Sequence, residues 1–190
     1  MKIILCPNPF RDKGLKAAYQ AQRILSAAGA KTEYCFPFPV EKSNIGDIDP
    51  SIKIKEMKTE LPDADFLVCF GGDGTILHAA KDASSFGVPI VGVNMGSVGF
   101  MAELEQGELS DLTRLVSGEY TLENRMLLDV RVIREGRVIF RSTALNDAVI
   151  TKGAVARVID LQVYGDKVLI SNVFGDGVIL STPTGSTAYS

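Results

Sequence analysis

Phe66-Leu67-Val68-Cys69-Phe70-Gly71-Gly72-Asp73-Gly74-Thr75-Ile76-Leu77 is the stretch whose reading decides the fold of this chain. Its first five residues are apolar with no polar face, the pattern of a parallel strand buried on both sides. The run breaks at residues 71–75, after which Ile76, Leu77, Ala79 and Ala80 resume at helical spacing. Strand, glycine-rich turn and helix together present bare backbone N–H groups to phosphate oxygens. A carboxylate at the centre of that turn, Asp73, repels phosphate unless it holds a proton, a metal or a hydroxyl. Phosphoryl transfer is therefore the leading idea. Asp also suits a plain turn or helix cap, but three flanking glycines at the end of a buried strand favour chemistry. Its role would be to accept a proton from a substrate hydroxyl, or to position a magnesium ion bridging donor phosphates.

Outward from this stretch, the first half alternates strand and helix. Residues 2–6 read as a strand, and residues 14–28 as a helix with Leu15, Ala18, Gln22 and Leu25 on one face and Gly29 as C-cap. Residues 32–36 form a second strand, and residues 37–62, with Pro39, Gly46 and Pro50, a long surface loop holding one short helix. Residues 66–70 are a third strand, 75–84 a helix and 88–93 a fourth strand. The rhythm implies an α/β domain with a parallel, Rossmann-like sheet and helices on both faces. Ligands in such sheets bind beyond the carboxyl ends of the strands, where residues 71–75 and 94–100 both fall.

The second half changes grammar. After a helix expected at residues 109–117, residues 127–133 and 138–145 alternate around Glu135-Gly136, a hairpin signal. Residues 158–164 and 167–171 repeat the pattern around Gly165-Asp166, and residues 178–181 add a short strand. This predicts an antiparallel, mostly β second domain. The boundary falls within residues 101–124, giving a first domain of residues 1–110 and a second of residues 111–190. The chain closes on Thr182-Pro183-Thr184-Gly185-Ser186-Thr187-Ala188-Tyr189-Ser190, a hydroxyl-rich loop feeding a helix. A natural domain rarely stops inside such a loop, so a fragment is expected.

Composition narrows the function classes. With 46% hydrophobic and 23% charged residues the chain is ordinary globular material. No apolar run approaches the roughly 18 residues that cross a bilayer. A net charge of −3 offers no basic footprint for nucleic acid. Cys6, Cys35 and Cys69 sit among apolar residues with no zinc spacing and read as buried, reduced thiols of a cytosolic protein. His78 is the single histidine, which argues against a protein-ligated zinc or di-metal centre.

Five further features admit competing readings. Residues 92–100, Gly-Val-Asn-Met-Gly-Ser-Val-Gly-Phe, are either a tight connection needing positive φ or a wall that lets a nucleotide approach the backbone. Asn146-Asp147 is either a turn or an amide–carboxylate pair that holds a sugar diol or a base edge. Asp176-Gly177 with Thr184, Ser186 and Thr187 is either a solvated loop or a set of small donors beside one carboxylate. His78 is exposed or capped, or touches phosphate. Arg125 is a surface charge or an interdomain tether.

In order and spacing, residues 71–75, residues 92–100, Asn146-Asp147 and residues 176–190 resemble the NAD kinases. The first motif alone is weak, being similar in phosphofructokinases and diacylglycerol-type lipid kinases; the run over residues 181–190 is far more specific. The resemblance covers the whole chain. It implies a phosphotransferase that uses ATP, or in some members inorganic polyphosphate, with Mg2+ to phosphorylate the 2′-hydroxyl of the adenosine ribose of NAD. Asp73 would be the catalytic carboxylate. Gly71, Gly72, Gly74 and Thr75 would face the donor phosphates, which would carry most of the magnesium's ligands. Asp73, Gly74, Phe100, Asn146, Asp147, Asp176, Thr184, Ser186, Thr187, Ala188 and Tyr189 would contact NAD. A cytoplasmic protein is implied, homo-oligomeric when full length, without nucleic-acid or membrane partners.

Two departures stand out. Many members carry Glu where this chain has Asp147, a carboxylate one methylene shorter. Members also continue well past Ser190, so apolar edges are expected to be exposed and this piece to be inactive. The competing readings are a lipid or sugar kinase of the same superfamily and a non-catalytic nucleotide-binding module.

Overall fold

The apolar runs become the central strands of one sheet. The computed structural model describes residues 1–41, 48–96, 99–153 and 157–186. Strand β1 (Lys2–Pro7) lies parallel to β4 (Phe66–Gly71), with Ile3 opposite Phe66 and Cys6 opposite Cys69. Outside them lie β2 (Lys31–Cys35) and β5 (Ile90–Asn94), and two-residue strands β3 (Ile54–Lys55) and β6 (Leu104–Glu105) form the edges. The order is β3-β2-β1-β4-β5-β6, and every pairing is parallel. Chain order reverses between β1 and β4, so the crevice for ligands opens beyond their carboxyl ends.

Period-2 alternation sorts the core onto two faces. Ile3, Leu5, Phe66, Val68 and Phe70 pack with Ala17, Ala18, Ala21 and Leu25 of α1 (Lys16–Ala27) and with Leu109, Leu112 and Leu115. Ile4, Cys6, Leu67 and Cys69 are equally buried on the other face. Helix α3 (Asp73–Phe86) covers that side: Ile76 Cδ1 lies 2.6 Å from where a side chain on Gly92 would begin, and Gly92 is opposite Cys69. Each fully buried Leu or Ile contributes about 1.5–3 kcal/mol. All three cysteines are free and buried, and burial pushes the Cys35 thiol up to about 12 and raises Cys6 as well. Such thiols are inert packing groups.

Several boundaries differ from the sequence pattern for local reasons. Helix α3 starts at Asp73, with extended Gly72 as N-cap, because an acidic residue suits the first turn. Helix α1 follows a 3-10 turn, Lys13–Leu15, and is capped by Asp12, a carboxylate only 2% exposed that accepts the N–H groups of Ala17 and Ala18 at 3.0 Å. The expected helix over 109–117 divides into a 3-10 segment, Gln106–Leu112, and α4 (Thr113–Ser117). Short helix α2 (Met57–Glu60) is the helix expected in the long loop.

The chain forms two compact units, Met1–Glu123 and Asn124–Ser190. Residues 111–123, grouped with the second half by the sequence pattern, belong to the first because Leu112 and Leu115 enter its core and Tyr120 meets Phe66 edge-on at 5.0 Å. Among the described residues the second unit holds three antiparallel pairs: β7 (Leu128–Arg134) with β8 (Arg137–Ala144), β10 (Ile159–Gly165) with β11 (Val168–Gly175), and β9 (Asp147–Thr151) with β12 (Gly177–Ser181). The first hairpin turns at Glu135-Gly136, with φ of 50° and 75°. The second turns at Asp166-Lys167, one residue later than expected, because an irregularity at Val163/Tyr164 shifts the register and carries β10 through Gly165.

One ion pair ties the first strand to the long loop. Lys2 Nζ lies 2.9 Å from Glu60 Oε2 and Lys55 Nζ 3.3 Å from Oε1, and the hydrogen bond from Lys2 holds the Glu60 carboxyl below its ordinary value of 4.5. A depressed carboxyl stabilises the fold above its unfolded pKa and loses that contribution as pH falls through the folded one. The urea midpoint is expected to drop as pH falls below about 4.5, and Lys2→Met should make the drop shallower. An equally steep drop in the variant would show that the pair contributes nothing.

Candidate functional site

At the switch point the chain leaves β1 through Asn8. Its backbone N–H donates to the Phe70 carbonyl at 2.9 Å, continuing the β1–β4 ladder. Its side-chain amide donates to Thr75 Oγ1 at 3.0 Å, and its Oδ1 accepts the Phe10 N–H at 3.0 Å. Thr75, expected to face donor phosphates, is therefore buried and engaged by Asn8. Gly71 is buried at the end of β4, where a side chain would run into that of Thr75. Gly72 and Gly74 differ: a Cβ on either would meet nothing within 4 Å. Of the glycines read as phosphate-facing, these two border open space.

Asp73 begins α3 beside them. Its Oδ2 accepts the Phe100 N–H and its Oδ1 the Met101 N–H, both at 3.1 Å. Two amides, of Phe100 at the end of the second glycine turn and of Met101 next to it, thus hold this carboxylate. Gly99 makes the approach possible, since a Cβ there would stand 2.5 Å from Asp73 Oδ1. A carboxylate offers about four lone-pair sites, so two remain for a substrate proton or a cation. Buried Asn94 anchors the base of the second turn, donating to Glu105 at 3.1 Å and accepting the Gly96 N–H at 3.2 Å. Phe100 is 81% exposed. Ser97 and Val98 lie outside the described residues.

His78, on α3, packs edge-on against Phe38 at 5.4 Å, and Phe38 stacks on Phe10 at 6.2 Å. Asn8, Phe10, Arg11 and Asp12 were missed in the sequence. The signal was present in Asn8-Pro9, a turn dipeptide directly after an apolar strand, with an N-capping Asp before the helix.

In the second unit β9 and β12 bring a second group together. Asp147 pairs with Ser181. The Asn146 carbonyl accepts the Thr182 N–H at 2.8 Å, and the almost fully buried Thr182 hydroxyl donates to the Leu145 carbonyl at 2.5 Å. Gly185 backs onto Asn146, where a Cβ would strike its backbone. Thr184 Oγ1 lies 3.4 Å from Arg125 Nη1, so Arg125 reaches a loop of its own unit, and Ser186 Oγ donates to the Pro183 carbonyl at 2.9 Å. Asn146, Asp147, Thr184 and Ser186 are thereby gathered. Asp176 is not: it sits at the far end of the ribbon, 2.8 Å from Lys152 Nζ. Thr187, Ala188 and Tyr189 lie outside the described residues.

Two family models match the chain: the ATP-NAD kinase N-terminal domain over residues 4–120 and the ATP-NAD kinase C-terminal domain over residues 145–190. The chain belongs to the NAD kinase family. It is 35% identical over 191 residues to the NAD kinase of Acetivibrio thermocellus, an alignment covering 100% of this chain and 64% of that protein. To the NAD kinase of Symbiobacterium thermophilum it is 44% identical over 129 residues, 67% of this chain and 46% of the relative. The chain spans just under two thirds of the length of the first of these relatives. Its fold matches that of yeast NADH kinase complexed with NADH, with a TM-score of 0.81 at 22% identity over 100% of this chain and 59% of that one. The motifs at residues 71–75 and 92–100 fall within the first matched domain, and residues 146–147 and 176–190 within the second.

The contact between Gly99 and Asp73 generates an expectation. Gly99→Ala should displace the Asp73 carboxylate and free the amides of Phe100 and Met101, speeding their hydrogen exchange by about tenfold or more, as loss of a charge-assisted bond of about 1.5–3 kcal/mol requires. The urea midpoint should barely move, because Gly99 lies outside the core. Unchanged exchange at both amides would refute the close approach.

Proposed function

We propose that this chain carries residues for NAD kinase chemistry, in which the terminal phosphoryl group of ATP or inorganic polyphosphate passes to the 2′-hydroxyl of the adenosine ribose of NAD, giving NADP. The observation that carries the proposal is Asp73, a carboxylate oriented by two amides at the start of α3 and flanked by the open glycines Gly72 and Gly74. The names of the relatives favour this reading over a lipid or sugar kinase or a non-catalytic module.

Each residue then has a physical task. Asp73 takes the proton of the attacking hydroxyl, with its orientation set beforehand by Phe100 and Met101 rather than at the moment of reaction. The N–H groups of the first turn of α3, beside Gly72 and Gly74, face the donor phosphates with the positive end of the helix dipole. Gly71 and Thr75 support that turn from behind. Asn146 and Asp147 hold the adenine ribose and base, and Thr184 and Ser186, with Thr187, Ala188 and Tyr189, complete the dinucleotide pocket. Phe100 offers its exposed ring to NAD, and Asp176 binds a more distant part of the same molecule.

Magnesium fits this donor set. Among the described residues no cluster of three or more His, Cys, Asp or Glu could hold a metal, and Mg2+ is commonly held by one or two carboxylates together with substrate phosphates. The donor phosphates would supply most of the ion's ligands. When bound, the ion neutralises charge on the transferring phosphoryl group.

In the full-length protein Asp73→Asn is expected to leave NAD affinity within a few-fold and to lower turnover by about 10²–10⁴ when NADP formation is assayed with ATP, magnesium and NAD. Retention of more than half the turnover would remove Asp73 from the mechanism. Asn146→Ala should weaken NAD binding by about 1–3 kcal/mol, the cost of leaving a buried partner unpaired. An unchanged calorimetric affinity would count against this placement.

A further inference from the structure

The second glycine turn reaches Asp73 because its descending arm stays out of the sheet until Leu104. Strand β6 starts there, opposite Val93, so the N–H of Gly92 on β5 lies one residue before the paired stretch. Gly92 is buried, and a buried N–H cannot be left unpaired without cost. Glu103 takes the place of the absent strand residue with its side chain. The Gly92 N–H donates to Glu103 Oε2 at 2.6 Å, and the Glu103 N–H donates back to the Gly92 carbonyl at 3.1 Å. The arm lies this close because Gly92 lacks a side chain, whose Cβ would stand 2.8 Å from Ala102 Cα. Two residues before Glu103, Met101 gives its N–H to Asp73 Oδ1, and Phe100 gives its own to Oδ2. The ascending arm is pinned separately, by the Met95 N–H on the Gly71 carbonyl at 3.0 Å and by Asn94 between Glu105 and Gly96. Glu103 thus fastens the arm that carries the two amides, and the proposed chemistry leaves it without a task.

We propose that Glu103 is a positioning residue for Asp73: its carboxylate, bonded to β5, fixes where Phe100 and Met101 hold the proton-accepting group. The inference rests on the reading of Asp73 as proton acceptor and deepens it, because it traces the orientation of that carboxylate to a side chain that does not touch it. Reach matters here as well as charge. An aspartate would stand back by one methylene, roughly 1.3 Å, which puts the Gly92 N–H beyond hydrogen-bond distance. A glutamine keeps both the reach and an acceptor oxygen.

Hydrogen exchange on this chain tests the link without turnover. Glu103→Ala, and Glu103→Asp, which keeps the charge, should speed exchange at the Phe100 and Met101 amides by about tenfold or more. The amides of Ile4 and Leu5, fully buried in β1, should keep their rates. Glu103→Gln should leave all four close to those of the unsubstituted protein. In the full-length protein the Ala and Asp variants should lower turnover by about 10–10², the scale of a misplaced catalytic group. Their KM for NAD should stay within a few-fold, and Glu103→Gln should restore most of the turnover. Unchanged exchange at Phe100 and Met101 in both variants, an acceleration shared equally by Ile4 and Leu5, or faster exchange with turnover intact would overturn the proposal. A failure of the kinase reading looks different: the exchange response and its rescue by Glu103→Gln would stand while the unsubstituted full-length protein forms no NADP.

Discussion

Asn8 donates its backbone N–H to Phe70 and its side-chain amide to Thr75, closing the β1–β4 pair at its carboxyl end. Without this pairing no crevice would exist, since chain order reverses between these two strands and nowhere else in the sheet. A parallel sheet with apolar side chains on both faces must be covered twice, and the covering helices have to start where the strands stop. Helix α3 consequently begins at Asp73, and its free N–H groups point into the crevice by geometry. Gly72 and Gly74 leave that point uncovered.

Glycine serves two purposes in this site, and the difference decides how the motif works. Gly72 and Gly74 leave room for something that comes from solution, whereas Gly71 and Gly99 leave room for the protein itself. Gly71 admits the Thr75 side chain that Asn8 binds, and Gly99 admits the Asp73 carboxylate to the amides of the second turn. The two glycine-rich turns are thus parts of one assembly joined through Asp73. A carboxylate held from one side by amides and open on the other can receive a proton without first reorienting, the kind of preorganisation that transfer chemistry exploits.

The central strands were legible because each is a short, unbroken apolar run, and residues buried on both faces leave little alternative. Edge strands β3 and β6 pair only two residues each, too few for any periodicity to register. Strand β9 was hidden for a different reason. Asn146 and Asp147 read locally as a turn, and only the register with β12 makes Asp147 the first residue of a strand. The candidate site divides in the same way. Asp73 and the glycines announce themselves by composition, while Asn8, Arg11 and Asp12 matter through partners 67, 85 or five and six residues away, which spacing along the chain does not display.

The two units also differ in what holds them. The first buries nearly every large apolar side chain of β1 and β4, so its turns are fixed by a core beneath them. In the second, Phe140, Ile170 and Phe174 are 54%, 68% and 73% exposed, and each ribbon has two strands. An isolated two-stranded ribbon is marginal in water and gains stability by burying a face. The polar group at Asn146, Asp147 and Thr182 is therefore positioned chiefly by backbone register and by the Thr182–Leu145 and Thr182–Asn146 hydrogen bonds. Such a group tightens with whatever covers the ribbon faces, whereas the Asp73 turn is already complete on its own core. The first unit thus offers a fixed carboxylate, and the second a polar group set by backbone register.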